Sequence, residues 1–332
     1  MRKNKKRTKR LILVLTVLAA IVVAGAAYAA VQNQKVKKQR QSQTKREKTE
    51  NASFITYQGK KYEYNSDLRT ILFLGVDKNE EVMVKEITGR SGQTDSIILL
   101  VLDTQEKTTT LLEVSRDTMT DVKMYGMDGD YLSTETAQIA TQYAYGDGER
   151  RSCQLSRDAV SNLLYQIPIH DYLSLNMAGI GPITDQIGGI EIMIPEDYTM
   201  IDPLFVQGNT VVLNGEQAER YVRYRDTEMT GSNNQRMERQ TQFIQALLAK
   251  VRATEDGGDA MLQQFWSASQ PYITTDLTLD MLKKVSSYSL NPEILTIPGT
   301  MQKGQEHDEF YVEETALQQM IMDIFYKEVK EG

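Results

Sequence analysis

Two uninterrupted apolar runs of strand length, residues 71–76 and 96–102, constrain the fold of this chain more than any other feature. A strand with one solvated face alternates apolar and polar residues, so a continuous apolar run is typical of a central strand that is buried on both faces. Similar patterns predict strands over residues 108–114, 172–176 and 190–194, and helices over residues 158–165, 177–187 and from about 313 to the end of the chain. This alternation predicts an α/β fold, a layered α-β-α sandwich with a mixed central sheet.

The amino-terminal segment has the pattern of a membrane anchor. Seven basic residues lie within residues 2–10, and an apolar stretch follows over residues 11–31. Because a helix needs roughly 20 apolar residues to cross a bilayer, we predict a basic cytoplasmic tail (1–10) and a transmembrane signal anchor (11–31). The Ala-Tyr-Ala sequence at residues 27–29 resembles a signal-peptidase site, which leaves a cleaved, secreted form as the alternative.

The charge distribution separates a basic amino terminus from an acidic domain. Residues 1–52 carry 14 Lys and Arg and two Glu, whereas the rest of the chain carries 24 Lys and Arg and 43 Asp and Glu. Residues 32–53 are polar and predict a charged flexible linker. Residues 54–332 then form the globular part of the chain, with a motif core at 68–250 and a C-terminal extension at 255–332. A domain this acidic is a poor general binder of nucleic acid, because duplex affinity rests on neutralising many phosphates.

The scarcity of cysteine and histidine excludes several classes of site. Cys153 is the single cysteine of the chain, so neither an intrachain disulfide nor a cysteine-based zinc site can form. His170 and His307 are the two histidines, which argues against a histidine-based metal site or a Ser-His-Asp triad.

A pair of arginines, Arg223 and Arg225, lies in the Tyr-Val-Arg-Tyr-Arg run at residues 221–225. If this run is a strand, the two guanidinium groups project from one face, with Val222 and Tyr224 turned the other way. Guanidinium groups present a planar fork of donors that matches phosphate oxygens and stay charged in almost any environment. The pair is therefore a candidate for binding a phosphorylated ligand; the alternative is two surface arginines paired with neighbouring acids.

A second basic group lies near the predicted start of a helix that follows. Arg236 and Gln240 are four residues apart and share one face of that helix, and Arg239 lies between them. The amino end of a helix attracts anions through its free N–H groups and its dipole, so an arginine there is favoured when an anion lies alongside it. Arg116, just after the predicted strand at 108–114, is a fifth candidate cation.

Two aspartates mark the ends of the apolar runs. Asp77 follows the first run and Asp95 precedes the second. Carboxylates at adjacent strand ends can hold Mg²⁺, which usually binds one or two carboxylates together with ligand phosphates; acids in ordinary turns are the alternative. Arg90 lies in a Gly-Arg-Ser-Gly loop at residues 89–92, which by itself is a weak phosphate-loop signal.

Together these segments resemble the LytR-CpsA-Psr (LCP) family of cell-wall enzymes. The resemblance covers roughly residues 68–250 and rests on the order of the segments rather than on any single motif. Behind the membrane anchor come Leu-Gly-Val-Asp at 74–77, Gly-Arg-Ser at 89–91, Thr-Asp-Ser at 94–96, Ser-Arg-Asp-Thr at 115–118, Tyr-Ala-Tyr-Gly at 143–146, Gly-Gly-Ile-Glu at 188–191, Leu-Asn-Gly-Glu at 213–216, the run at 221–225, and Arg-Met-Glu-Arg-Gln at 236–240.

The resemblance implies a membrane-anchored phosphotransferase that acts outside the cell membrane of a Gram-positive-type bacterium. Members of the family move a glycopolymer, such as teichoic acid or capsule, from a polyprenyl-pyrophosphate carrier to peptidoglycan. By resemblance, the pyrophosphate is gripped by Arg90, Arg116, Arg223, Arg225, Arg236 and Gln240, and Mg²⁺ is held or positioned by Asp77 and Asp95. Arg116, Arg223, Arg225 and Asp95 are then the catalytic candidates, and Asp95 has a second possible role on the attacking sugar hydroxyl. Phosphoryl transfer needs positioning and charge neutralisation more than a covalent protein group.

Several positions depart from the family pattern. Gln138 and Ala140 stand where the family often has lysine and asparagine, and Asn233 stands where it has aspartate. These departures motivate the alternative of a non-catalytic, polyprenyl-phosphate-binding scaffold of cell-wall assembly. A transcriptional attenuator is a third hypothesis, which the acidic domain and the lack of a recognisable DNA-binding motif disfavour.

Overall fold

The computed structural model describes residues 54–83, 91–225, 232–252, 258–304 and 307–329. The predicted tail, anchor and linker lie outside these ranges, so their structure stays a prediction. Among the helices that are described, none combines the length and the apolar character that a membrane crossing requires. The chain divides into two compact units: residues 65–325 form one, and the segments on either side of them form the other.

The smaller unit is a three-stranded sheet made from both ends of the described chain. Its strands are β1 (Ile55–Tyr57), β2 (Lys60–Tyr64) and β15 (Tyr326–Glu328), and β2 pairs antiparallel with both of the others. Tyrosine rings meet edge to face in two pairs, with centroids 6.4 Å apart for Tyr57 and Tyr62 and 5.8 Å apart for Tyr64 and Tyr326. Such pairs add to the stability that burial alone supplies, so the two chain ends are joined by side chains as well as by backbone hydrogen bonds.

The larger unit contains the remaining elements. Its strands are β3 (Leu68–Val76), β4 (Thr94–Asp103), β5 (Thr108–Val114), β6 (Met119–Tyr125), β7 (Tyr131–Gln138), β8 (Asp171–Asn176), β9 (Ile190–Met193), β10 (Thr210–Leu213), β11 (Ile273–Thr275), β12 (Ser289–Thr296), β13 (Gly299–Lys303) and β14 (Asp308–Val312). Its helices are α1 (Arg150–Leu163), α2 (Ile180–Gln186), α3 (Gly215–Arg223), α4 (Ser232–Arg252), α5 (Gly258–Ser269), α6 (Leu279–Ser286) and α7 (Glu314–Phe325), with 3₁₀ turns at Ile139–Tyr145, Met177–Gly179 and Gln270–Tyr272.

A six-stranded sheet in the order β11-β8-β3-β4-β5-β12 forms the centre of this unit. The pairs β3–β8 and β5–β12 are parallel, and the other three pairs are antiparallel, so the predicted mixed sheet is confirmed. The two apolar runs are the adjacent central strands β3 and β4, which pair Leu72 with Leu99. Both β11 and β12 come from the C-terminal residues beyond 255, so this segment completes both edges of the sheet.

Apolar side chains alternate between the two faces of the sheet, and both faces are buried. Ile71, Ile98 and Leu173 belong to one core cluster with residues of helices α2 to α6. On the opposite face, Ser174 accepts a hydrogen bond from Cys153 of α1 at 3.4 Å. Helices therefore lie against both faces, as expected for a layered α/β fold.

The strand considered for residues 221–225 is not formed, because this run lies at the end of a helix. Asn214 caps α3: its side chain accepts a hydrogen bond from the Gln217 backbone at 2.9 Å, and Gln217 Oε1 accepts one from the Asn214 backbone at 3.2 Å. This reciprocal capping box satisfies two backbone donors and starts the helix ten residues before Arg225. Tyr221 and Val222 are both buried, so the alternation expected of a strand is absent.

Three predicted helices also have different bounds. The helix predicted from about 313 to the end of the chain ends at Phe325, and strand β15 follows it. The helix predicted over residues 158–165 begins earlier, at Arg150, and ends at Leu163. The one predicted over residues 177–187 is divided into the 3₁₀ turn Met177–Gly179 and helix α2.

Replacing Leu72 with alanine tests whether β3 is a central strand. Its side chain is 0% exposed, so we expect Leu72→Ala to lower the free energy of unfolding by about 3 kcal/mol, from lost burial plus a residual cavity. Leu204 is 57% exposed, and Leu204→Ala is the matched control that should change it by less than about 0.5 kcal/mol. Urea unfolding followed by circular dichroism measures both; equal losses would contradict the assignment of β3 to the core.

Candidate active site

Three of the candidate residues meet where the ends of the central strands β3, β4 and β5 lie side by side. Asp77 follows the last residue of β3, Asp95 is the second residue of β4, and Arg116 lies two residues after β5 ends. Because β4 is antiparallel to both neighbours, the carboxyl ends of β3 and β5 flank the amino end of β4. The parallel strand β8 ends at the same edge, where Asn176 pairs with Val76.

Asp95 is the centre of the site. Its side chain is 4% exposed and pairs through one oxygen with Nη1 of Arg116 and through the other with Nη1 of Arg236, at 3.3 Å for the second pair. The two guanidinium groups are themselves only 16% and 13% exposed. Buried charges are tolerated when they are paired, so Asp95 holds two cations from distant parts of the sequence in one place.

Arg116 has further partners that sequence reasoning did not identify. Nη2 donates to Gln93 Oε1 at 2.9 Å, and Nε lies 3.5 Å from Asp117 Oδ1. Asp117 in turn accepts a hydrogen bond from Gln138 Nε2 at 2.8 Å, and the same amide donates to the Asp308 carbonyl at 2.9 Å. The glutamine that replaces the family's lysine thus supports the aspartate beside Arg116.

Two more predicted residues, Arg225 and Asp77, lie close enough to Arg116 and Arg236 for their charges to change the pKa of both guanidinium groups. Burial lowers the pKa of Arg116, and the nearby Arg236 and Arg225 lower it further, whereas Asp117 and Asp77 raise it. Burial likewise lowers the pKa of the Arg236 guanidinium, with Arg225 contributing and Asp77 opposing. Mutual repulsion among partly dehydrated cations favours a bound anion, because arginine stays protonated throughout.

Arg239 is buried and fixes the turn after α3. Its Nε donates to the Tyr221 carbonyl at 2.9 Å, Nη2 donates to the Tyr224 carbonyl, and the guanidinium lies 5.0 Å from the centroid of the Tyr198 ring. These carbonyls belong to the end of α3, where intrahelical donors are lacking. Arg239, which the sequence grouped with the ligand-binding arginines, therefore has a positioning role.

Arg223 Nε and Gln240 Oε1 are among the buried polar atoms of the described residues that have no hydrogen-bond partner. Gln240 donates through Nε2 to the Val222 carbonyl at 3.2 Å, and Arg223 Nη2 lies 3.8 Å from Glu219. Since buried polar groups are nearly always hydrogen-bonded, these atoms are available to a ligand. Both residues were predicted to bind pyrophosphate. Gln240 lines a cavity together with Asp95, which pairs with the arginine cluster of Arg116 and Arg236; Arg225 acts on the charges of both.

Apolar cavities adjoin the charged residues. One of about 30 Å³ is lined by Asp95 and Gln240 together with apolar side chains that include Phe73 and Ile244. Phe73 and Ile244 also line a second cavity of about 90 Å³ between the sheet and helices α4 to α6. Sequence patterns did not reveal these cavities, because their lining residues have the same spacing as ordinary core residues.

The carboxylates of Asp77 and Asp95 are the predicted ligands of Mg²⁺. Asp77 is exposed at the sheet edge and Asp95 is buried, and Asp77 is close enough to act on the charges of Arg116 and Arg236. Across the described ranges, no group of three or more His, Cys, Asp or Glu is arranged to hold a metal. Mg²⁺ often binds only one or two carboxylates and takes its other ligands from phosphate and water, so the Mg²⁺ site stays a prediction.

Two predicted residues lie outside what can be described. Arg90 falls between the described residues 83 and 91, and the side chain of Asn233 is likewise not described. The loop ahead of Asp95 is described from Ser91, whose hydroxyl donates to the Gly146 carbonyl at 3.0 Å. Gly92 follows with φ +89°, a left-handed conformation that favours glycine.

Cys153 and His170 are structural residues, as expected. Burial raises the pKa of the Cys153 thiol to about 12, so it is protonated and unreactive at neutral pH. The His170 ring contacts the Thr70 hydroxyl at 2.9 Å, away from the arginine cluster.

Replacing Asp95 with asparagine tests its role as the anchor of the arginines. We expect Asp95→Asn to lower the free energy of unfolding by about 3 kcal/mol, because two buried guanidinium groups lose their counter-charge. Inorganic pyrophosphate should raise the melting temperature of this variant more than that of the wild type, since the anion replaces the lost charge.

Asp171→Asn is the matched control, because Asp171 is 8% exposed and pairs with Arg69 at 2.7 Å outside the site. It should lose stability without any gain in response to pyrophosphate. Equal pyrophosphate responses in the wild type and Asp95→Asn would contradict the anchoring role.

Curated relatives share between a quarter and a third of their aligned residues with this chain. The polyisoprenyl-teichoic acid–peptidoglycan teichoic acid transferase TagU of Enterococcus faecalis is 29% identical over 222 residues, which are 67% of this chain and 66% of that protein, just under two thirds of its length. The protein of the same name from Bacillus cereus is 28% identical over 259 residues, 76% of each chain.

Solved structures share the fold. TagV of B. subtilis superposes with a TM-score of 0.59 at 23% identity, covering 78% of this chain and 96% of TagV. TagT bound to LI-WTA superposes with a TM-score of 0.58 at 20% identity, covering 78% of this chain and 90% of TagT. The sequence profile of the LytR_cpsA_psr family matches residues 24–324, most of the chain. The order of motifs, the mixed sheet and this match agree, and the chain belongs to the LytR_cpsA_psr family.

Proposed function

We propose that this chain is a membrane-anchored phosphotransferase that attaches a glycopolymer from a polyprenyl-pyrophosphate carrier to peptidoglycan, with its catalytic domain outside the membrane. The observation that carries the proposal is the adjacency of the arginine cluster to an apolar cavity, since Asp95 pairs with Arg116 and Arg236 and also lines the smaller cavity. A ligand that fits both has a phosphate group and an apolar chain. The curated relatives, named as teichoic acid transferases, support the same class of reaction.

The arginines divide the work of binding the pyrophosphate. Arg116 and Arg236 are held in place by Asp95, and Arg223 and Arg225 lie at the end of α3. Guanidinium groups bind phosphate oxygens through paired, charge-assisted hydrogen bonds. Together these guanidinium groups neutralise the pyrophosphate and the charge that develops on it during transfer.

The transfer exchanges one phosphorus–oxygen bond for another. A hydroxyl oxygen of the acceptor sugar attacks the phosphorus atom that carries the glycopolymer, forming the new phosphodiester bond. The bond between that phosphorus and the bridging oxygen of the pyrophosphate breaks. The bridging oxygen keeps the electron pair and leaves as part of polyprenyl phosphate. The hydroxyl proton passes to a base, which is either Asp95 or water. Both Asp95 oxygens face guanidinium groups, which favours the anchoring role over that of base.

Mg²⁺ fits the proposed site through Asp77 and Asp95. When bound, the cation would neutralise phosphate charge and so assist departure of polyprenyl phosphate. The arginines perform the same task from the protein side.

A scaffold that binds polyprenyl phosphate without turnover is the second candidate. The observation that favours it is Gln138, a neutral residue where the family often has a cation, whose amide is committed to Asp117 and the Asp308 carbonyl. The scaffold and the enzyme make opposite predictions about turnover.

Transfer by the full-length protein distinguishes these candidates. With a labelled polyprenyl-pyrophosphate saccharide, peptidoglycan fragments and Mg²⁺, we expect product formation that EDTA suppresses. Arg225→Ala should lower the rate by about 10²–10³-fold, the usual effect of losing a group that stabilises transition-state charge. Arg157→Ala is the control, because Arg157 lies on α1 and pairs with the exposed Asp158; its rate should equal that of the wild type. Donor binding without product from several donors would exclude the enzyme and leave the scaffold.

A larger side chain at the junction of the two cavities tests where the lipid binds. Ile244 lines both cavities, so Ile244→Phe should weaken binding of a long-chain polyprenyl phosphate by about tenfold while leaving binding of inorganic pyrophosphate unchanged. Met193→Phe is the control, since Met193 is 61% exposed on β9 and lines neither cavity. Calorimetric titration measures each affinity; an equal loss for both ligands would contradict lipid binding in the cavities.

A further inference from the structure

A groove of about 470 Å³ lies beside the arginine cluster and belongs to no part of the site described above. Its walls come from the end of β5, the start of α4, and the β13–β14 hairpin with the residues before it. Ser115 and Met237 line the groove. In the chain, Ser115 directly precedes Arg116, and Met237 directly follows Arg236. Its volume is within the range of small-molecule binding sites, and it is several times larger than either apolar cavity.

The groove has the opposite charge to the arginine cluster. Glu113 and Glu238 line it, and none of its lining residues in the described part of the chain is a Lys or an Arg. Its other walls include the Ser115 hydroxyl and the apolar side chains of Met301 and Phe310. Carboxylates repel phosphate, so this lining disfavours the pyrophosphate and the anionic glycopolymer. A mixture of hydrogen-bond acceptors and an aromatic ring suits a neutral ligand rich in hydroxyl groups.

Glu113 is set into the wall of the groove by its neighbours. The Thr241 hydroxyl of α4 donates to Glu113 Oε1 at 2.7 Å, which leaves Oε2 to accept further hydrogen bonds. Burial raises the pKa of the Glu113 carboxyl, and the Glu238 charge raises it further, although the Thr241 hydrogen bond opposes this. A partly buried carboxylate hydrogen-bonds strongly to a hydroxyl group, since little water competes.

The hairpin wall is tied directly to the loop that carries Arg116. The Phe310 backbone donates to the Asp117 carbonyl at 2.8 Å, and Phe310 forms a backbone bridge with Thr118. The Phe310 ring packs on Gly299 of the adjacent strand, where a Cβ would lie only 2.6 Å from the ring. A ligand on this wall is thereby placed at a fixed position relative to Arg116.

We propose that this groove binds the acceptor saccharide of peptidoglycan and presents its hydroxyl group to the pyrophosphate held by the arginines. The proposal rests on the proposed function and adds the acceptor's binding site to it. Donor and acceptor then bind in two adjoining sites of opposite charge, and helix α4 contributes to both, through Arg236 to one and Glu238 to the other.

Two groove variants and one matched control test this proposal in the full-length protein. Met301→Trp narrows the groove, and Glu113→Gln removes a charge while keeping the shape. Met193→Trp is the control for Met301→Trp, because it replaces a methionine with tryptophan at an exposed position on β9. The probes are soluble glycan fragments of peptidoglycan as acceptor and a labelled polyprenyl-pyrophosphate saccharide as donor.

We expect each groove variant to raise the KM for the glycan on the order of tenfold. Glu113→Gln weakens a hydrogen bond to a charged group, and Met301→Trp fills space that the glycan would occupy. The KM for the donor and the binding of inorganic pyrophosphate should stay within about twofold of the wild type. Titration of the glycan alone, without donor, should show the same loss of affinity in both variants. The Met193→Trp control should match the wild type in every measurement.

The outcomes separate this inference from the proposed function. An active wild type whose glycan KM is unchanged in Glu113→Gln and Met301→Trp would overturn the groove and leave the phosphotransferase intact. If Met301→Trp fails to fold, Glu113→Gln decides alone, because its side chain keeps the same size. A wild type that transfers nothing to the glycan from any donor would overturn the proposed function itself.

Discussion

The ion pairs of Asp95 with Arg116 and Arg236 are the interaction on which the rest of the site depends. Each partner is largely buried, and a buried charge without a counter-charge is strongly destabilising. The carboxylate at the start of β4 therefore fixes the loop after β5 and the first turns of α4 at one point. Three segments that are far apart in the chain are held together by charge rather than by apolar packing alone.

Different faces of helix α4 contribute to the arginine cluster, to the apolar cavities and to the acidic groove. This is possible because residues three or four apart share a face and the intervening ones point elsewhere. Arg236 faces Asp95, Arg239 fastens the end of α3, and Ile244 lines the apolar cavities. Glu238 points into the acidic groove. One helix thus borders the cation cluster, the cavities and the groove, and a small shift of this helix would alter all three.

The central part of the fold followed from local pattern, whereas the end of α3 did not. Continuous apolar runs identified β3 and β4 because a sheet covered on both faces needs apolar residues on both. Residues 221–225 alternate in the manner of a strand, but the capping box at Asn214 and Gln217 commits the chain to a helix before that run begins. The capping signal was present in the sequence, in the Leu-Asn-Gly-Glu segment, and outweighs a five-residue alternation. The site arginines were found because clustered guanidinium groups in an acidic domain are unusual.

By itself, the sequence determined the α/β class, the membership of a motif-bearing family, and the candidates Asp95, Arg116, Arg225, Arg236 and Gln240, since residue type and order are local properties. Only the tertiary structure decided which oxygen of Asp95 meets which guanidinium, and that Arg239 positions a turn instead of facing a ligand. It alone placed Asp117 and Gln138 behind Arg116. The cavities and the acidic groove also arise only there, because they lie between elements distant in the chain, and the side chains that line them follow the same periodicity as any core residue.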